Sequence, residues 1–155
     1  MNTKLYIERA ENEMILAEIV LKMSVSKDLQ KPFNTKIETF FSAAIEHSYY
    51  CIFYSAKAYL LSKGVRTLSP REHENTLEGF KKFVDAGILD VELLNIYRSI
   101  IVRADKLLGI FALKKGKRAE FTYYTIPQAN QSPAEESVKN AGFFISNIKE
   151  IIKPK

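Results

Sequence analysis

Between Arg103 and Arg118 the chain carries six basic residues, Arg103, Lys106, Lys114, Lys115, Lys117 and Arg118, against one acid, Asp105. That excess equals the net charge of +5 of the whole 155-residue chain. Tyr123 and Tyr124 follow closely. Cations beside aromatic rings can hold phosphate and stack on a base, which suits a nucleotide or RNA. The same cations would also serve as a solvated helix end complementing the macrodipole, and the spacing alone supports both readings. Gly116, between Lys115 and Lys117, suggests a flexible basic turn. No glycine-rich phosphate loop is visible.

The remaining reactive residue types are few. His47 lies between Glu46 and Ser48, one position off an apolar helical stripe, where a hydrogen-bonded structural role is expected. His73 is placed at a helix start, able to hydrogen-bond and orient the turn. The single Cys51 sits on an apolar face and reads as packing material in a reducing environment. Two histidines and one cysteine cannot furnish an ordinary zinc site by themselves, and the sequence calls for no metal or other cofactor. Tyr49, Tyr50, Tyr54 and Tyr59 cover more than one face of their helix. Some must therefore contact other helices or a partner subunit while their hydroxyls find acceptors, and a base-stacking platform is the sharper alternative.

These residues are positioned by helices. From Leu5 to about Val25, Ala10, Met14, Ala17 and Leu21 keep a helical period with acids on the other faces. Lys31-Pro32-Phe33-Asn34-Thr35 breaks that helix, and a second runs from about Thr35 to Lys63. Its stripe is Phe41, Ile45, Ser48, Ile52, Ala56 and Tyr59, and Gly64 is the left-handed terminator. Ser69-Pro70-Arg71-Glu72 has the form of a capping box and opens a third helix ending near Val84. Asp90 caps a fourth with Leu94, Tyr97, Ile101, Ala104, Leu108 and Phe111 on one face, extending to about Lys115. Gly116 to Gln131 reads as an ordered loop. Ser132-Pro133-Ala134-Glu135 opens a fifth helix with Ser137, Ala141, Ile145, Ile148 and Ile152 inward. The expected fold is all-α, an antiparallel up-down four-helix bundle with one additional short helix.

A hydrophobic content of 46% over 155 residues fits one domain spanning 1-155, with a core that needs no staple. Met1 is followed by a charged amphipathic segment, and no apolar run approaches about 18 residues, so a soluble, cytoplasmic protein without membrane attachment is expected.

The order of features resembles the HEPN domain family, helical proteins often encoded beside minimal nucleotidyltransferases. The likeness rests on Ser48-Tyr49-Tyr50 with Ala56 to Gly64, His73, Phe80-Lys81-Lys82-Phe83-Val84 with Gly87, Arg118 followed by Tyr123, and Glu135, Ala141 and Phe144. It runs from about Ala17 to Ile152. The resemblance implies a homodimer formed around the late helices, association with nucleotide or RNA, and a nucleotidyltransferase partner. In active members it implies metal-independent ribonuclease chemistry. Those members use an arginine, usually followed by a polar residue, with a histidine four to six residues further on. The arginine would stabilise phosphate charge while the imidazole exchanges protons with the 2′-hydroxyl or the leaving oxygen.

This chain departs from that pattern at Arg118-Ala119-Glu120-Phe121-Thr122-Tyr123-Tyr124. Alanine stands in the polar position and tyrosine in place of histidine, and a phenol is a poor base at neutral pH. Arg66 and His73, with six residues between them, satisfy the spacing formally but at another element. Three functions are consistent with these features. The first is a non-catalytic or weakly active protein of a toxin-antitoxin-like or stress-related system, binding nucleotide, RNA or a nucleotidyltransferase through Lys114, Lys115, Lys117, Arg118, Tyr123 and Tyr124. The second is a ribonuclease toxin with Arg118 and Tyr123 as catalytic candidates, or with His47 or His73 brought close by the fold. The third is a helical interaction scaffold.

Overall fold

The computed structural model describes residues 2–34, 39–108 and 130–154. Its longest helix, α1 (Thr3–Val25), starts where the Asn2 side chain accepts the Leu5 N–H at 2.9 Å. Ala10 and Ala17 are fully buried, with Met14 and Leu21 packed against the core beside them, as their helical period requires. The break comes earlier than the proline suggests. Ser26 accepts the Leu29 N–H at 3.3 Å and starts a four-residue helix, α2 (Lys27–Gln30), which runs into a 3-10 turn over Lys31–Phe33. Asn34 ends that turn in the left-handed region at φ 54° and so opens no helix of its own. Ser24 donates to the Val20 carbonyl at 2.7 Å and accepts the Phe40 N–H at 2.6 Å, tying the end of α1 to the start of the next helix.

That helix, α3 (Phe41–Ser62), begins six residues after the expected Thr35; Thr39 and Phe40 precede it, and residues 35–38 lie outside the described ones. The expected stripe is inward: Ile45, Ser48, Ile52, Ala56 and Tyr59 are buried and Phe41 packs beside them. Gly64, at φ +77°, ends it, with the Val65 N–H donating to the Leu60 carbonyl at 2.9 Å. Next comes α4 (Glu72–Asp85), capped at Arg71 and so two residues later than the capping pattern at Ser69 predicts. The reason is chemical, since the Glu72 carboxylate expected to reach back to the cap is held by the Lys57 ammonium instead.

Asp90 caps α5 (Val91–Leu108) by accepting the Glu92 N–H at 2.8 Å. Leu94, Tyr97, Ile101 and Ala104 are buried as expected, and the predicted extension to Lys115 with Phe111 lies outside the described residues. The last helix, α6 (Gln131–Ile152), starts at Gln131, so Ser132 and Pro133 fall inside its first turn. Ser137, Ala141, Ile145 and Ile148 are buried.

Among the described residues the fold is all-helical, with six helices and one 3-10 turn where five helices are expected; α2 is the extra element. Cross-helix contacts set the directions. Glu13 meets His47, and Tyr6 meets Tyr54, so α1 and α3 are antiparallel. Met14 lies by Gly142 and Glu11 by Lys149, so α1 and α6 are antiparallel as well. Tyr97 touches Phe144 while Arg103 reaches Ser137, which makes α5 antiparallel to α6. The four long helices thus alternate in direction around one core. Centrally placed, α3 packs on α1, α4, α5 and α6.

Candidate functional site

On α3, Tyr49, Phe53 and Lys57 are spaced one turn apart, with Tyr50 and Tyr54 one step round the helix. The first turn of α4 brings Glu72 and His73 against them. The Tyr49 hydroxyl is 2.6 Å from Nδ1 of His73, and the imidazole stacks on Phe53 with ring centroids 4.3 Å apart. Burial pushes the Tyr49 phenol well above its usual range, with the Tyr97 phenol next and Tyr50, Glu74 and Asp105 adding to it. Burial also holds His73 below the usual histidine range, against the opposing pull of Glu72 and Glu74 and with Lys57 adding to the lowering. The pair is therefore a protonated phenol beside a neutral imidazole at neutral pH. Such a phenol can serve a neutral imidazole in either tautomer, but an imidazolium only as acceptor.

Beside this pair Lys57 is 4% exposed and bonded to the Glu72 carboxylate, with its ammonium also donating to the Thr67 carbonyl at 3.0 Å. It lies over the rings of Tyr6 at 5.1 Å and Phe53 at 5.6 Å. Thr67 and Thr76 share a hydroxyl hydrogen bond of 2.7 Å, and Thr76 donates to the Glu72 carbonyl. The connection between α3 and α4 is thereby fastened on both sides of the ion pair. A buried cation answered by a carboxylate, a carbonyl and two aromatic faces meets the requirements for a charge out of water.

The sequence candidates divide as follows. Lys114, Lys115, Lys117, Arg118, Tyr123 and Tyr124 all lie outside the described residues. Arg103, counted in the basic window, donates to Glu136 at 2.8 Å and to the Ser137 hydroxyl at 3.1 Å. It clamps α5 to α6. His47 bonds Glu13 at 2.6 Å across the α1–α3 joint, the structural role expected of it. His73 does stand at a helix start, but its imidazole bonds a tyrosine of another helix. Cys51 is buried, and burial pushes its thiol up to about 12, in keeping with packing. Tyr49 and Tyr59 are core, Tyr50 and Tyr54 half-buried. The expectation that these tyrosine hydroxyls find acceptors is not met at Tyr59, whose buried hydroxyl has no hydrogen-bond partner among the described residues; the Tyr97 hydroxyl is alike.

The Tyr49–His73 and Lys57–Glu72 pairs are not read from spacing. One signal was present for the second. Lys57 interrupts the run from Ser55 to Leu60, which is otherwise uncharged, and a charge there needs a buried counter-ion. Among the described residues no three His, Cys, Asp or Glu side chains gather as metal ligands, and no helix is long and apolar enough to cross a membrane.

No family model matches the chain. It is similar to two proteins of Methanocaldococcus jannaschii. One, named "Putative toxin MJ0605", is 28% identical over 148 residues, covering 95% of this chain and 86% of the relative. The other, named "Putative toxin MJ0142", is 37% identical over 68 residues, covering 43% of this chain and 44% of the relative.

Proposed function

We propose that the chain is a toxin-like protein of the HEPN type, a single domain that is non-catalytic or weakly active. It binds RNA or nucleotide, or a minimal nucleotidyltransferase, through Lys114, Lys115, Lys117, Arg118, Tyr123 and Tyr124. The observation that carries this reading is the similarity over 95% of the chain to the protein named "Putative toxin MJ0605". The helical scaffold adds support. Residues 109–129 lie between α5 and α6 in the sequence, and Arg103 clamps those two helices to each other. A homodimer belongs to the same reading.

Fluorescence anisotropy with a labelled RNA and with nucleotides tests it. Wild-type protein should bind with an affinity that falls as salt rises, and Arg118→Ala and Lys115→Ala should each weaken it and flatten the salt slope. Absence of salt-dependent binding, together with no nucleotidyltransferase co-purifying from the native host, would end the proposal. Light scattering should give twice the chain mass.

A second reading, a ribonuclease toxin, is favoured by the Tyr49–His73 pair. An imidazole kept neutral can accept a proton, and the Tyr49 hydroxyl lies 2.6 Å from Nδ1 of His73. RNA cleavage in EDTA, lost in both Arg118→Ala and His73→Gln, is the expected result. Cleavage that survives His73→Gln removes the pair from the chemistry.

A further inference from the structure

A cavity of about 250 Å³ opens between α1, the end of α3 and the connection to α4, lined by Tyr6, Lys57, Leu61, Val65, Arg66, Thr67 and Leu68. We infer that it binds a carboxylate monoanion carrying one apolar group, such as the carboxy-terminal residue of a peptide or a free organic acid of that size. Three observations carry this. The charge of Lys57 is already answered by Glu72, whereas Arg66 is exposed and makes no ion pair among the described residues. The cavity therefore holds one uncompensated positive charge, which matches a carboxylate better than a phosphate dianion. Its planar fork also matches a carboxylate's two oxygens.

The second observation is the wall. Leu61, Val65, Leu68 and the Tyr6 ring line the same cavity as Arg66, and Leu68 is an apolar side chain left 68% exposed. A ligand that is only an anion would leave this surface wet. The third is size. The volume lies below the roughly 300–1,000 Å³ of pockets for drug-sized ligands, so one amino-acid-sized group fills it. Lys57 can add a donor, since two of its three N–H groups are spent on Thr67 and Glu72.

Amide chemical-shift titration of the full chain tests the inference. N-acetyl-L-leucine should shift the amides from Leu61 to Leu68 saturably, while its neutral amide should not. Arg66→Gln, at an exposed position that leaves the fold intact, should weaken binding by about tenfold or more, and Arg66→Lys should recover part of the loss. A short peptide ending in free leucine separates the sources. Tighter binding than the capped amino acid identifies a protein terminus, and equal binding identifies a free acid. Equal shifts from acid and amide, preference for adenosine monophosphate, an unchanged affinity in Arg66→Gln, or no shift at these amides would each overturn the inference.

Discussion

At Lys57 and Glu72 the two partners of one ion pair stand in unequal surroundings. The Lys57 side chain is 4% exposed and that of Glu72 33%. Removing the carboxylate strands a buried cation, whereas removing the ammonium leaves a carboxylate that water can reach. We expect Glu72→Gln to cost about 2–4 kcal/mol and Lys57→Met about half of that, the reverse of what lost apolar packing would predict. Urea unfolding of both variants checks the order, and a larger loss in Lys57→Met refutes the argument. His73 gives a pH dependence. Its folded pKa lies below the unfolded value, so the unfolded chain binds the extra proton first. The contribution to stability is complete above about pH 6.5 and is lost as pH falls through the folded value. Glu46 acts in the opposite sense, because burial raises its carboxyl. The His73 share is therefore read as the difference between wild type and His73→Gln, whose melting temperature should fall less between pH 7 and 5. Cys51, with a thiol pushed up to about 12, should resist iodoacetamide in the native state at pH 8 and react only on unfolding.

Helix ends test which local rules govern each element. Gly64 has φ +77° with nothing within 4 Å of a built Cβ, so Gly64→Ala meets backbone strain and no clash, costing about 1 kcal/mol. Gly79, inside α4, would place its Cβ 3.1 Å from Cδ1 of Leu60. There Gly79→Ala gains about 1 kcal/mol of helix propensity and spends it moving a flexible leucine end, for a net change near zero. Thermal melts of the two variants should therefore separate, and equal losses would contradict the account. The elements themselves were largely legible. Ala10 and Ala17, or Ile45, Ser48 and Ile52, reveal a face because burial recurs with the helical period. The Gly64 stop is legible for a local reason too, since only the backbone decides it. Two features were not. The four residues of α2 are too short to show a period, and the capping box at Ser69 misleads because a lysine fifteen positions upstream competes for Glu72. The site was less legible still, as Tyr49 and His73 share no spacing rule and meet only after α3 and α4 have packed.

For the whole molecule, the junction of α4, α5 and α6 is the part that no helix completes alone. Phe80 lies with its ring centroid 5.4 Å from Phe144 and 5.8 Å from Tyr97, and all three side chains are fully buried. Phe144→Ala should cost about 3–5 kcal/mol by the cavity it opens, enough to consume a large part of an ordinary domain's stability. Exposed Phe143→Ala is its control and should change little; equal effects would mean that the face of α6 is misassigned. The placement of α6 has a consequence for the order of assembly. Helices α1 and α3 are close in sequence and can pair as a hairpin, while Cys51 meets Ala141 only across ninety residues. During synthesis α6 follows all the other described helices, so the rings of Phe80 and Tyr97 must wait for Phe144. Until then the nascent chain displays an aromatic face, which makes the period before α6 docks the interval in which a chaperone, or another nascent copy, can reach this core.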